Sequence, residues 1–399
     1  MHRAHIPLYL EMLPQVFLKG QHADRVLFET FNRHEISSTE KKTIASTFYD
    51  LLRNWRLITA INANNERMDE SNLYRLLGIY MRLKNQKIPQ HPAFEKVRHE
   101  NIPRKAEQAL LDPAVRCLLP EWLYQRIAQE LGSDVTEQLM QVQNEEPPVF
   151  IRVNTLKTSE DELYNVLISE GLEPRRTKLP NAILIQNAAR LFKTKAFFEG
   201  MYEVQDMHSQ QVSLMADPHP GQRVIDACAG AGGKTLHLAA LMQNKGKIIA
   251  LDVSEKKLHE LQRRVKKAGV SMVESRTIDN KKVIKRLEHS ADMVLVDAPC
   301  SGTGVLRRNP DIRWFLDEKE LNRLLGIQQE LLNDYIGCVK PGGKLVYSTC
   351  SILPGENEIQ VEKFLKQHPQ CVLEFEQRLD AAHQGGDGFY VAVIRKPIR

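Results

Sequence analysis

No apolar run in this sequence is long enough to span a bilayer, and the residues after Met1-His2-Arg3 lack a signal-peptide pattern. These absences set aside a membrane-embedded or secreted chain, and the expected location is the cytoplasm. Cysteine is scarce. Cys117, Cys228, Cys300, Cys338, Cys350 and Cys371 are too few and too scattered in 399 residues for a disulfide framework. No pair of them has metal-site spacing, and none of the 13 histidines joins a ligand cluster, so no metal is expected. A strong net charge is missing too: 55 basic against 50 acidic residues leave +5, which permits a polyanionic partner without requiring one. Internal repeats and low-complexity tracts are also lacking. What remains, 42% hydrophobic and 26% charged, is the composition of a soluble globular protein long enough for two or three domains.

Three regions differ in pattern. Over 1–118, LYLEMLPQVFLKG, RVLFETFNRHE, TEKKTIASTFYDLLRNWRLITAIN and SNLYRLLGIYMRLK repeat apolar residues at helical spacing. Ser38-Thr39-Glu40 and Asp69-Glu70-Ser71 offer capping chemistry ahead of the third and fourth. NQKIPQHPAFEKVRHENIPRK reads as an irregular, basic connection. Over 119–205 a small α+β unit is expected, with strand VFIRVNTLK, helix SEDELYNVLISEG and strand AILIQN. Arg152 and Asn154 fall on one face of its first strand. Residues 1–150 are charge-balanced, so the whole positive excess lies beyond them. Over 206–399, the strands RVIDACAG, KIIALD, ESRTID, ADMVLVDAPC, KLVYSTCS and YVAVIRK come with intervening helices KTLHLAALMQ and SEKKLHELQRRVKKAG. Such alternation predicts an α/β fold with a mostly parallel sheet covered on both faces.

The chemistry sits at the ends of those strands. DACAGAGGKT, Asp226 to Thr235, joins the first strand to its helix, with glycines where a Cβ would obstruct close approach. It is not a phosphate-binding Walker loop, because Gly230 and Gly233-Lys234-Thr235 stand one residue too close together. Asp252 ends the next strand, where a carboxylate can hold the ribose hydroxyls of a nucleoside-bearing cofactor, and Asp279 ends the third. This constellation serves nicotinamide and S-adenosylmethionine (AdoMet) enzymes alike. The run VLVDAPCSGTG delivers Asp297 and Cys300 to the carboxyl edge of the fourth strand, and Cys350 follows the fifth. Taken singly, each cysteine reads as a buried small hydrophobe, as Cys117, Cys228, Cys338 and Cys371 do. Two thiols at neighbouring strand ends beside a cofactor loop point instead to chemistry on a pyrimidine. Carbon 5 of that ring is a poor nucleophile, and a thiolate adding to carbon 6 turns it into an enamine able to attack a methyl electrophile. Loss of the C5 proton then needs a base or relay. Spacing does not rank the two thiols.

DACAGAGGKT, VDAPCSGTG and YSTCS, in this order, resemble the signature segments of RNA cytosine-C5 methyltransferases of the NOL1/NOP2/Sun type. FIRVNTLK, GMYEVQDMHSQ, RRNPDIRW and DGFYVAVIRK extend the resemblance over about residues 118–396. It implies a Rossmann-like, AdoMet-dependent methyltransferase domain over 206–399, an RNA-binding α+β unit over 119–205, and a NusB-like RNA-binding helical module over 1–118. Carried over residue by residue, it makes Cys350 the nucleophile, Cys300 an aid to proton removal and product release, and Asp297 a partner of the base. It gives AdoMet to Cys228, Ala229, Gly230, Ala231, Gly232, Gly233, Lys234, Asp252, Asp279 and Asp297. In DNA cytosine methyltransferases the nucleophile lies in a Pro-Cys motif, which would select Cys300. The family's loop usually reads Ala-Pro-Gly-Gly-Lys; Gly230-Ala231 stand here in place of Ala-Pro, loosening the loop without removing a reactive group. Lys234 is left between contacting the RNA or base and capping the loop.

The reading is a monomeric enzyme acting on RNA, 16S rRNA first and tRNA second, without a metal or a membrane. Arg152, Asn154, Arg307 and Arg308 are the candidate RNA contacts. A non-catalytic assembly factor of the same fold would keep AdoMet binding without methyl transfer. A nicotinamide oxidoreductase would leave the paired thiols without work.

Overall fold

A computed structural model describes residues 1–398, in two compact units. One comprises Met1–Glu146 with Val305–Glu318; the other comprises Pro147–Gly304 with the chain from Lys319 onward.

The first unit is helical. Ile6–Phe17, Ala23–Arg33, Ser38–Ile61 and Glu70–Leu83 fall where the apolar spacing predicts. Ser37, one residue before the expected cap, closes a capping box with Glu40, and the Asp69 side chain accepts from the Asn72 N–H. Phe48, Leu51, Leu52, Trp55 and Ile58 form one face of the long helix and share a core with Tyr9, Leu13, Leu76 and Leu77. The expected irregular connection carries helices Glu95–His99 and Ile102–Ala109. Its prolines mislead as breakers: Pro92 and Pro103 sit in first turns, where no backbone N–H is needed.

The sequence pattern runs 206–399 as one domain, whereas the structure gives residues 305–318 to the helical unit. Polar anchors explain it. The fully buried Arg313 donates to the Leu118 carbonyl at 2.8 Å and to Asn144 Oδ1 at 3.1 Å. Trp314 Nε1 donates to the Leu52 carbonyl at 2.9 Å, and Asp311 accepts from the Ala23 N–H at 3.1 Å. Arg313→Ala leaves the buried Leu118 carbonyl and the half-buried Asn144 Oδ1 without this donor and is expected to destabilise this unit by about 3 kcal/mol. All three tryptophans (Trp55, Trp122 and Trp314) lie in it, so urea denaturation followed by their fluorescence measures the loss.

The second unit holds two sheets. Strands β1 (Val149–Val153), β2 (Pro174–Arg176), β3 (Ala182–Ile185) and β4 (Tyr202–Val204) form an antiparallel sheet in the order β2-β3-β1-β4. The larger sheet is built from β5 (Arg223–Asp226), β6 (Lys247–Asp252), β7 (Val273–Thr277), β8 (Ala291–Asp297), β9 (Val339–Thr349), β10 (Val372–Leu379) and β11 (Phe389–Arg395). Its order, β10-β11-β9-β8-β5-β6-β7, is Rossmann-like, with β11 antiparallel to both neighbours. The strand order reverses between β5 and β8, so a crevice opens at their carboxyl ends. Ile225, Ile249, Val294, Val296, Leu345 and Tyr347 fill the core. β10 escapes the sequence pattern because it is an edge strand whose residues are mostly exposed. Glu374 pairs with Arg395, and Arg378 with Glu358.

Among the described residues no helix is long and apolar enough to cross a membrane.

Candidate active site

The loop after β5 is held from three sides. Gly232, at φ +88°, caps helix Gly233–Leu241, and a Cβ on it would come within 2.8 Å of Leu261 Cδ1, so only glycine fits. Arg264, from helix Glu255–Ala268, donates to the Ala231 carbonyl at 2.7 Å and pairs with Glu203 at 2.7 Å. Arg152, from β1, donates to the Gly233 carbonyl at 2.8 Å and to Gln205. Asp252, at the end of β6, accepts from the Gly230 and Ser254 N–H groups, both at 2.8 Å. These anchors supply the rigidity that Gly230-Ala231 give up. With no side chain capping the helix at Gly232, its first N–H groups are left to a ligand. Asp279 stands exposed two residues past β7. Residues 228–234, Asp252 and Asp279 therefore line the carboxyl edge of three successive strands, a cradle suited to a nucleoside-bearing cofactor.

The thiols meet one step further along that edge. β8 and β9 are parallel neighbours, with Asp297 opposite Ser348, and they bring Cys300 Sγ to 3.3 Å from Cys350 Sγ. The Cys350 sulfur beside it, and then burial, hold the Cys300 thiol well above the ordinary thiol range. Glu356, fully buried, fixes the loop of Cys300 by accepting from the Ser301 N–H at 2.8 Å, and Gln328 steadies it at 3.0 Å. A Cβ at Gly304 would lie 2.1 Å from the Gly388 carbonyl oxygen, so glycine is required where this loop closes. Asp297 accepts from Ser348 Oγ at 2.8 Å through one oxygen and from Lys234 Nζ at 2.7 Å through the other. Burial opposes the Lys234 charge, but Asp297 outweighs it and raises the lysine pKa. Lys234 thus pairs with the Asp297 carboxylate. Arg264 and Glu356 escape the sequence reading because they lie outside the Gly- and Cys-bearing motifs, whereas Ser348 lies within YSTCS and gains its role only from the fold.

Asp226, at the end of β5, accepts from Thr235 Oγ1 at 2.6 Å, and burial raises its pKa to about 7. Its folded-state value exceeds the ordinary 3.8, so the stability it contributes is complete below about pH 4 and is lost as pH rises through about 7. Asp226→Asn keeps an acceptor for Thr235 and removes that dependence. Its unfolding free energy is expected to vary less between about pH 4 and 7 and to exceed wild type above pH 7 by up to about 4 kcal/mol, read from urea melts across pH.

The four expected RNA contacts stand elsewhere. Arg152 is buried and anchors the Gly233 carbonyl. Asn154 is buried and donates to the Gly200 and Ala268 carbonyls at 2.8 and 2.9 Å. Both join β1 to its neighbours because buried polar groups must find protein partners. Arg307 is buried in the helical unit, its carbonyl accepting from Arg53 at 2.9 Å, and Arg308 is half-buried beside it. Among the described residues no His, Cys, Asp and Glu group could hold a metal.

Comparison with known proteins follows this geometry. The sequence model of the family described as 16S rRNA methyltransferase RsmB/F matches residues 213–395, and that of an RsmF/B-like ferredoxin-like domain matches 119–191. The chain is similar to ribosomal RNA small subunit methyltransferase B of Pasteurella multocida, 31% identical over 81% of this chain and 79% of that one. The Klebsiella pneumoniae protein of the same name is 29% identical over 98% and 97%. Among solved structures, PH0851 is similar with a TM-score of 0.81 and 28% identity, covering 98% of this chain and 99% of that one.

Proposed function

Because the chain belongs to the RsmB/F family of 16S rRNA methyltransferases, we propose that it methylates carbon 5 of a cytosine, using AdoMet and a Cys350 adduct at carbon 6. The observation that carries this reading is the pair of sulfurs 3.3 Å apart beside the Asp297–Lys234 pair and the Gly-rich loop.

AdoMet, when bound, supplies the electrophilic methyl group. The 228–234 loop, Asp252 and Asp279 would hold it; Gly232 leaves room where any side chain would meet Leu261. The target base must leave its stack to reach the thiols, which costs least in loops and single strands. Cys350, as thiolate, forms the sulfur–carbon bond at C6, and the ring electrons move to C5. Asp297, fixed by Ser348 and Lys234, accepts a hydrogen bond from the exocyclic amino group of the base and so orients its ring. After methyl transfer the electrons of the C5–H bond re-form the C5–C6 double bond and the bond from C6 to the Cys350 sulfur breaks; Cys300 hands its proton to that departing sulfur, 3.3 Å away, and takes the C5 proton in its place. The 3.3 Å between the sulfurs lets one thiol attack while the other serves the later proton transfer.

The test is incubation of the protein with AdoMet and protein-free 16S rRNA, followed by nucleoside analysis. 5-Methylcytosine supports the proposal. Methylation of any other atom, or AdoMet binding without transfer to rRNA or tRNA, would overturn it.

A further inference from the structure

We propose that the segment 188–198 of the small α+β body is a second RNA-holding surface, which stacks unpaired bases on Phe192 and Phe198 and takes phosphates on Arg190, Lys193 and Lys195. The inference rests on RNA being the substrate and assigns a contact remote from the reacting base.

The two phenylalanines are 58% and 67% exposed, although the segment is firmly seated. Leu191 and Ala196 are buried in the local core, and Thr194 Oγ1 lies 2.7 Å from the buried Tyr202 hydroxyl. Packing therefore does not need either ring. Phe197 stands between them, 5.2 Å from Phe192 and 5.9 Å from Phe198, with both pairs edge to face. Lys267 Nζ lies 3.7 Å from the Phe197 ring centre, and Lys157 Nζ donates to the Glu199 and Lys267 carbonyls.

Arg190, Lys193 and Lys195 are exposed and line a cavity of about 370 Å³ with Ser169, Glu170 and Gly171. One carboxylate oxygen of Glu170 accepts from the Lys195 and Ala196 N–H groups at 3.0 and 3.3 Å. The other nearby acid, Glu199, is a solvent-exposed partner of Lys195 at 3.6 Å. The surface is thus basic around exposed aromatic faces, the combination that binds single-stranded nucleic acid with little regard to sequence. An apolar protein-docking face would gain nothing from three cations at its rim. Gly200 packs against the Lys267 carbonyl in the last turn of helix Glu255–Ala268, about 20 Å along that helix from its start beside Asp252. A contact there governs capture of the RNA and leaves the chemical step alone.

The experiment compares full-length wild type with F192A/F198A and K193E/K195E in steady-state methylation of protein-free 16S rRNA. KM for the RNA is expected to rise about tenfold or more in each, with kcat within about twofold, since one stacked base contributes roughly that much. AdoMet affinity should stay at its wild-type value, and the melting temperature of F192A/F198A should fall only by what two edge-to-face contacts with Phe197 contribute. The lysine variant should also show a shallower dependence of RNA affinity on salt, by about one to two phosphate contacts. F192W/F198W should hold the wild-type KM, whereas F192L/F198L should behave like the alanine variant. A leucine variant equal to wild type would make the face an apolar docking site, and an unchanged KM in both first variants would remove the proposal while leaving the methylation reading intact. A wild type that neither binds nor methylates RNA would overturn both.

Discussion

Cys350→Ala is expected to lower methyl transfer to 16S rRNA by at least about 10⁴-fold and to leave no denaturation-resistant protein–RNA adduct. Cys300→Ala is expected to lose turnover as well, yet to accumulate that adduct. The asymmetry follows from the roles proposed for the two thiols, whose sulfurs lie 3.3 Å apart: Cys350 bonds to C6, and Cys300 serves the later proton transfer. Addition and methylation then survive its loss, while release from C6 stalls. Denaturing gel electrophoresis of each variant with labelled rRNA reads both species. The reverse pattern, adduct trapped by Cys350→Ala and absent with Cys300→Ala, would assign the attack to the Pro-Cys thiol.

The placement of the two thiols at one sheet edge was legible because strand ends and glycine turns mark themselves in sequence. VLVDAPC and KLVYSTC each run apolar into a polar terminus, and adjacency of β8 and β9 then brings Cys300 to Cys350. The supports of that edge were not legible. Glu356 comes six residues after Cys350, past the strand end, where only the folded loop shows a carboxylate receiving the Ser301 N–H. Arg264 looks like one more cation in a basic helix, and the ion pair with Glu203 and the bond to Ala231 are contacts between segments far apart in sequence. For Lys234 the sequence leaves two readings open, and the 2.7 Å contact with Asp297 adds a partner that neither names.

The arginines teach the same lesson from the other side. Charge and neighbouring motifs point to Arg152, Arg307 and Arg308, which is a statement about composition. Burial decides what a cation touches. Arg152 lies on an alternating strand, and its face packs against protein, so it holds the Gly-rich loop. Trp314, the last residue of RRNPDIRW, and Phe315 after it pack against the helical core, and Arg307 and Arg313 are buried in the same segment. The exposed Arg190, Lys193 and Lys195 drew no attention in sequence because neither periodicity nor a motif sets 188–198 apart.

Asp297→Ala is expected to reduce kcat about 10³-fold, and K234M/D297A to be no slower than Asp297→Ala alone. The Lys234 side chain is only 9% exposed, and its ammonium is compensated at 2.7 Å by Asp297. Removing the carboxylate leaves a buried charge whose pKa burial then pushes down, a destabilisation of about 3 kcal/mol. Adding Lys234→Met to that variant removes the stranded charge, so stability should return in large part while the rate does not. Lys234→Met alone keeps Asp297 bonded to Ser348 Oγ, and its loss of rate should be smaller than that of Asp297→Ala. Single-turnover rates and urea midpoints for the four proteins separate the two effects. Rate losses that multiply in the double variant would mean that lysine and aspartate act on the base independently, and the view of Lys234 as the positioner of Asp297 would have to be given up.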